Sequence, residues 1–508
     1  MILSKQTISR IKEIEGLAVP AEKIFVLPEK VLQFGTGVLL RGLPDYFIDK
    51  ANKQGVFNGR IVIVKSTSQG DTDAFSKQDN LYTQYVRGIE NGKRVDEAVI
   101  NVSVSRVLAA SEQWNEILAC AANPQMQLII SNTTEVGITL LNNDNVYAAP
   151  PVSFPGKLLA FLLERYKKFN GIAGSGMVII PTELIPENGT KLRNIVIELA
   201  KQNQLDNTFI EWVQTANDFC NSLVDRIVPG KLPGEEKAAM ESRLGYKDDL
   251  MIMSEAYRLW AIETSNDRTK EILSFSKTDT GVVLAEDIDK FRELKLRLLN
   301  GSHTFTCALA VQMGFTTVKQ AMEDGLFRGF ISQLMLEEIV PAIVEDKVTE
   351  EAGQQFTMQV IDRYKNPFIE HYWLSIALQY TSKMKMRNVP VLQQYYEKKA
   401  STPWHMAFGF AAYLLFMKSE KNKEHSFTGN AGGKPYIIND DRAAELHELW
   451  RIDNTNNFVR NVLENTHLWG VNLDALPGFR QAVTDAVETI QKQGIAGALQ
   501  KIQMRQTM

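Results

Sequence analysis

Short runs of β-branched and aliphatic residues recur through the first half of the chain: KVLQF, GRIVIVKS, AVINVSVSRVL, MQLIISNTT and GMVIIPTEL. Apolar runs of this length, bounded by turn residues, read as strands, and the stretches between them carry helical periodicity. Strands separated by helices pair in parallel through right-handed crossovers, so this half is expected to be an α/β, doubly wound sheet. From about Asp287 the strand pattern stops. FRELKLRLLNGSHTFTCALAVQM, RGFISQLMLEEIVPAIV and FIEHYWLSIALQYTSKM carry amphipathic helical spacing instead, which predicts a mainly α-helical second domain. Between Gly230 and Asp287 charged helical stretches mix with one last strand-like run, GVVLAEDI. The division is placed there, as residues 1–280 and 281–508, with no internal repeat or low-complexity linker.

The first strand leads into a glycine turn. KVLQFGTGVLLRGLPDYFID reads as strand, turn and helix, in which Gly35 and Gly37 let the backbone turn sharply and approach a pyrophosphate. The amides opening the helix, at Val38 and Leu39, then point at the anion. This is the Rossmann-like dinucleotide-binding arrangement; simple loop closure is the alternative use of the two glycines. The third glycine of the usual fingerprint is absent, and Leu40 and Arg41 stand near its place, Arg41 as a further candidate phosphate contact. The next strand ends in Lys65 and Ser66, where an acid for the ribose hydroxyl often stands, and Asp71 lies several residues beyond. NAD and NADP are both open on this evidence.

Composition narrows the partners. With 508 residues, 44% of them hydrophobic, the chain has material for more than one large core. A net charge of −4 argues against nucleic acid or an anionic membrane as a partner, since both demand a basic face. Three cysteines without CxxC spacing, Cys120, Cys220 and Cys307, suit neither a disulfide framework nor a thiolate metal site, and point to a reducing cytoplasm. The N-terminal MILSKQTISRIKEIEG lacks the apolar stretch of a signal peptide. TPWHMAFGFAAYLLFMK falls short of the roughly 18 to 20 apolar residues a membrane span needs, and is expected to be a buried helix. Its aromatic and methionine residues are read as core. The six histidines, at 303, 371, 405, 425, 447 and 467, form no HExxH pattern, and no metal is expected.

The sharpest chemical signal is KLRLLNGSH. At about 100° per residue, with Lys295 at zero, His303 falls at about 80° and Asn300 at about 140°, on one face with Leu296 and Leu299. Desolvation lowers a lysine pKa toward the working range of a general base. Lys295 is thus a candidate to take and return an alcohol proton, Asn300 to donate to an oxygen gaining negative charge, and His303 to orient a hydroxyl. The alternative is a helix stop at Asn300-Gly301, a solvated lysine and a satisfied core histidine.

GxGxxxR near the N-terminus together with KxxxxNxxH resembles the mannitol dehydrogenase family, the long-chain polyol dehydrogenases. PENG (186–189), SLVDRIVP (222–229) and RYKNPFIEH (363–371) look like other segments of that family. SNTTEVGI, SFPGKLLAFLLERY and IIPTELIPENG are most similar to its members that act on sugar acids. The resemblance implies a reversible, NAD-linked, metal-independent interconversion of a small keto sugar acid and its alcohol. It implies Lys295 as general acid/base, Asn300 with Asn188 as oxyanion donors and His303 as substrate ligand. Asn132, Thr133, Val224 and Asp225 would line the cofactor. On the residues alone, Asn188-Gly189 equally reads as a turn and Asp225-Arg226 as an ion pair. A substrate carboxylate calls for a cation, and TSKMKMRNVP offers Lys383 and Arg387 ahead of Lys385. A polyol or a related keto acid is the alternative substrate, a nucleotide-sensing protein of the same fold the non-enzymatic alternative, and the assembly expected is a monomer or homodimer.

Overall fold

The computed structural model describes residues 1–11, 14–66, 72–133, 136–345, 347–422 and 426–505, the last four of these by backbone alone. The chain divides into two compact units, Met1–Gly88 with Arg94–Ile288, and Asp289–Met508 with Ile89–Lys93.

In the first unit six parallel strands form one sheet: β1 (Glu29–Phe34), β2 (Arg60–Lys65), β3 (Val104–Ala109), β4 (Leu128–Ser131), β5 (Val178–Pro181) and β6 (Asp218–Phe219). Their spatial order is β3-β2-β1-β4-β5-β6, so the direction of winding reverses between β1 and β4. Both faces are buried, which is why the strands read as continuous apolar runs. Leu32, Phe34, Val62, Val64 and Ile129 enter one core; Val31, Ile61, Ile63, Leu128 and Ile130 enter the other. Helix α1 (Val38–Gly42) follows β1, while α2 (Phe154–Lys168) and α3 (Asn188–Gln202) pack on the first of these cores.

AVINVSVSRVL, expected as one strand, is two. The chain breaks at Val102–Ser103, where the Asn101 carboxamide accepts from the Ser103 amide and hydroxyl and Asp49 accepts from the Val102 amide. Residues up to Asn101 belong to a separate four-stranded sheet with Leu17–Ala18, Tyr82–Glu90 and Ile252–Glu255. A further strand, β7 (Ser222–Asp225), pairs antiparallel with Leu259–Glu263.

The second unit is mainly helical. Helix α4 (Ser302–Gln312) continues from a π-helical stretch, Leu294–Gly301. Helix α5 is Glu350–Tyr364, α6 is Trp404–Phe416, and α7 is Phe479–Arg505, broken at Gly494. The apolar segment around residue 410 is the buried helix α6, and its Gly409 lies so close to the Phe305 carbonyl that an added Cβ would sit 2.7 Å from it. α4 is therefore held at backbone contact. One expectation is corrected here: strands do not end at Asp287. Glu420–Lys421, Phe427–Ala431 and Lys434–Ile438 form an antiparallel ribbon turning at Gly432 and Gly433, both at positive φ.

Candidate active site

In the first unit the reversal point is built from β1 and β4. Gly35 continues the sheet by donating to the Val64 carbonyl at 3.0 Å, with φ at 128°. A Cβ there would lie 2.9 Å from Leu40 and 3.0 Å from the Asn132 carbonyl, so the fold itself requires glycine. Gly37 differs. It is exposed at the N-cap of α1 with φ −63°, and a Cβ there would meet no protein atom within 4 Å. Its bareness leaves room beside the helix-opening amides of Val38 and Leu39, both half-buried, so a pyrophosphate fits this turn.

After β4, the Asn132 amide group donates to the Thr182 carbonyl and hydroxyl at 3.1 and 3.0 Å, and the Thr133 amide and hydroxyl both donate to Glu183 at 2.9 Å. Ser131 donates to the other Glu183 oxygen. Burial pushes the Glu183 carboxyl up, and these bonds oppose the rise. The loops after β1 and β4 are thus fixed where open α/β sheets bind their ligands. Val224 and Asp225 are buried in β7, opposite Trp260 and Leu259. Arg226 donates to the carbonyls of Glu255 and Gly42 and lies over the Tyr46 ring. Lys65 closes β2 with Ser66 just beyond it, whereas Asp71, like His425, lies outside the described residues.

Two expected site residues are hydrogen-bonded within the fold. Arg41 turns into the interior, donating to the Leu250 carbonyl at 2.7 Å with its guanidinium over Phe75 and Tyr82, so it is committed to the core rather than to a phosphate. Asn188, only 1% exposed, shares its two amide hydrogens among the carbonyls of Pro181, Glu183 and Ser222, each at 3.0 Å. Its oxygen accepts from the amides of Gly189 and Ser222. It is neither a free oxyanion donor nor a simple turn residue: it opens α3 and ties β5 to β7.

In the second unit, Lys295 and Asn300 are half-buried and His303 is buried. The uniform α-helix expected for KLRLLNGSH is instead π-helical from Leu294 to Gly301. Closing i→i+5 widens the turn, which brings residues five apart nearer to superposition than an α-turn does. Lys295 and Asn300 are such a pair.

His303 is 6% exposed, and its Nδ1 has no hydrogen-bond partner. Its ring packs on Tyr364, His371 and Trp373, with centroids 4.1, 5.1 and 5.6 Å away. Burial first, then the charges of His371, Arg363 and Arg387, hold it well below the ordinary histidine range, so it is neutral. The Tyr364 hydroxyl donates to the Leu299 carbonyl at 2.7 Å and is hydrogen-bonded to the Ser302 hydroxyl at 2.9 Å, locking α5 to this stretch.

Arg387 donates to the Thr304 hydroxyl at 3.2 Å, and Lys383 to the Ile376 carbonyl at 2.8 Å. Both are half-buried and lowered, chiefly by desolvation; Lys385 is exposed. Arg297 fixes their segment by donating to the carbonyls of Met386 and Arg387. His371 packs on His303 and the charge of Arg363 acts on it, though the sequence reading gave neither a role; the only signal was their place in RYKNPFIEH. An amine, an amide, a neutral imidazole and several cations in one unit can bind an oxyanion and exchange a proton with a neighbouring hydroxyl.

Among the described residues no three His, Cys, Asp or Glu side chains are grouped to hold a metal ion, and no helix is long and apolar enough to cross a membrane.

The strand order, with a glycine turn at its reversal point and a helical second unit, defines a Rossmann-type dinucleotide-binding fold. The chain belongs to the mannitol dehydrogenase family: residues 29–273 match the mannitol dehydrogenase Rossmann domain and 287–491 the mannitol dehydrogenase C-terminal domain. It is 36% identical to the altronate oxidoreductase of Halalkalibacterium halodurans over 491 residues, covering 94% of each chain. It is 36% identical to that of Bacillus subtilis over 478 residues, covering 93% of this chain and 95% of the other. Among solved structures it is similar in fold to a substrate-free D-sorbitol dehydrogenase, with TM-score 0.77, 19% identity and coverage of 98% and 100%. The Pseudomonas fluorescens mannitol 2-dehydrogenase ternary complex with NAD and D-mannitol matches with TM-score 0.65, 20% identity and coverage of 99% and 100%.

Proposed function

We propose that this protein is an NAD-dependent altronate oxidoreductase, acting as a tagaturonate reductase in the direction of ketone reduction. The observation that carries the reading is the placement of Lys295 and Asn300 five residues apart on one π-helical stretch, with a neutral, buried His303 among cations in the same unit. The names of relatives matched over more than nine-tenths of this chain supply the substrate.

Gly35, Gly37 and the amides of Val38 and Leu39 would hold the pyrophosphate, with Asn132, Thr133, Val224 and Asp225 lining the rest of the cofactor. NAD, when bound, supplies the acceptor or donor of hydride. The Lys295 amine takes the hydroxyl proton during oxidation and returns it to the alkoxide during reduction. The Asn300 amide donates to the oxygen as charge builds on it. His303, neutral, orients a substrate hydroxyl, and Lys383 and Arg387 attract the carboxylate. The chemistry needs no metal, because the ammonium form of Lys295 supplies the proton that stabilises the alkoxide. Three buried, unpaired cysteines suit a reducing cytoplasm, and we infer a monomer or homodimer.

The test is the rate of NADH oxidation with tagaturonate, fructuronate and fructose in parallel. Tagaturonate is expected to be turned over fastest. Turnover of fructose alone would make the protein a polyol dehydrogenase, and turnover of none a nucleotide-binding protein without this activity.

A further inference from the structure

We propose that Arg363 and His371 complete, with Lys383 and Arg387, an anion pocket around His303 that takes the substrate carboxylate and so selects the sugar acid over its neutral counterpart. This rests on the sugar-acid reading above and assigns recognition to two residues not yet given a part in it.

The argument starts from what is packed together. α5 contributes Arg363 and Tyr364 from its last turn, the segment before Trp373 contributes His371, residues 383–387 contribute two cations, and α4 contributes His303 and Thr304. The two imidazoles meet edge to face, 5.1 Å apart, and the Tyr364 ring packs on His303 at 4.1 Å. A buried polar atom without a partner is costly unless a ligand meets it, and His303 Nδ1 is such an atom.

The electrostatics agree with the geometry. His303 feels His371, Arg363 and Arg387; His371 feels Arg363 and Lys383; Lys383 feels Arg387. Each of these influences lowers the group it acts on, so like charges are crowded into a half-buried space. The acid adjacent to His371, Glu370, turns outward to Lys319 and Tyr372. A carboxylate entering this space meets the positive field of Arg363, Lys383 and Arg387 and accepts from the His371 imidazole, leaving His303 to the neighbouring hydroxyl. A hydroxymethyl group in its place supplies neither effect.

The experiment compares tagaturonate with the neutral ketose that carries CH2OH in place of the carboxylate, using the intact protein and NADH. If the wild type fails to prefer the acid, the sugar-acid reading itself fails. If it does prefer the acid, H371N and R363Q are each expected to lower the ratio of kcat/KM for the acid to that for the neutral ketose by about 10- to 100-fold, the range of one charge-assisted hydrogen bond. A ratio left unchanged overturns the pocket even where both rates fall, because a merely structural defect penalises both substrates alike. NADH affinity and circular dichroism establish that each variant is folded; H371Q and R363M stand in for one that is not.

Discussion

An amide whose hydrogens and lone pairs are all engaged inside the fold has nothing to offer a substrate, and Asn188 is in that position, whereas Asn300 is half-buried on the same π-helical stretch as Lys295. Asn188→Ala strands several buried backbone groups at about 1–3 kcal/mol each, so thermal unfolding of the variant is expected to fall markedly. Asn300→Ala is expected to leave unfolding nearly unchanged and lower kcat instead. Equal melting losses in the two variants would refute that contrast. Lys295→Ala should lower turnover about 100-fold or more, with NADH affinity retained, since proton transfer is worth 10²–10⁴-fold. Near-normal turnover would remove Lys295 from the mechanism.

At the scale of the element, the turn after β1 separates two kinds of glycine. Gly35→Ala forces a Cβ against Leu40 and Asn132 at a φ that disfavours side chains, and is expected to weaken both the fold and NADH binding. Gly37→Ala meets no protein atom, so melting should be unaffected while NADH affinity drops; unchanged affinity would mean that no ligand approaches there. This turn was readable from sequence because it is local, and the sheet was readable because strands buried on both faces write themselves as unbroken apolar runs. Other features left weaker marks. The break at Asn101 depends on side chains capping backbone amides, and the Phe427–Ile438 ribbon alternates on an exposed surface. The π-turn keeps an amphipathic pattern that a 3.6-residue wheel fits almost as well. Arg363 and His371 come near His303 only through tertiary packing, and no spacing rule links residues 60 and 68 positions apart. Arg41 shows the converse: a residue correctly placed in a motif can still turn inward.

For the whole molecule, burial gives the two units opposite responses to pH. Desolvation pushes Asp45 in the first unit up to about 8 from 3.8, and Asp248 and Glu183 move the same way. Over that interval the folded state holds a proton the unfolded chain has released, so this unit loses stability as pH rises from about 4 to 8. His303 and His371 are held below 6.5, so the unfolded chain binds more protons below that value and the second unit loses stability as pH falls through it. The first unit should therefore open earlier at pH 8 than at pH 5.5 and the second earlier at pH 5.5 than at pH 8, and Asp45→Asn should flatten the alkaline arm. Exhaustive chelation is expected to leave activity intact; recovery that depends on added zinc would contradict metal-independent chemistry. Two compact units with different responses are expected to melt in separate steps, and the three buried thiols can report this. Cys120 and Cys220 lie in one unit and Cys307 in the other, so a maleimide added during a melt can label each only after its own surroundings open. Mass spectrometry of the alkylated peptides would then time-stamp the two unfolding events separately, with no engineered dye.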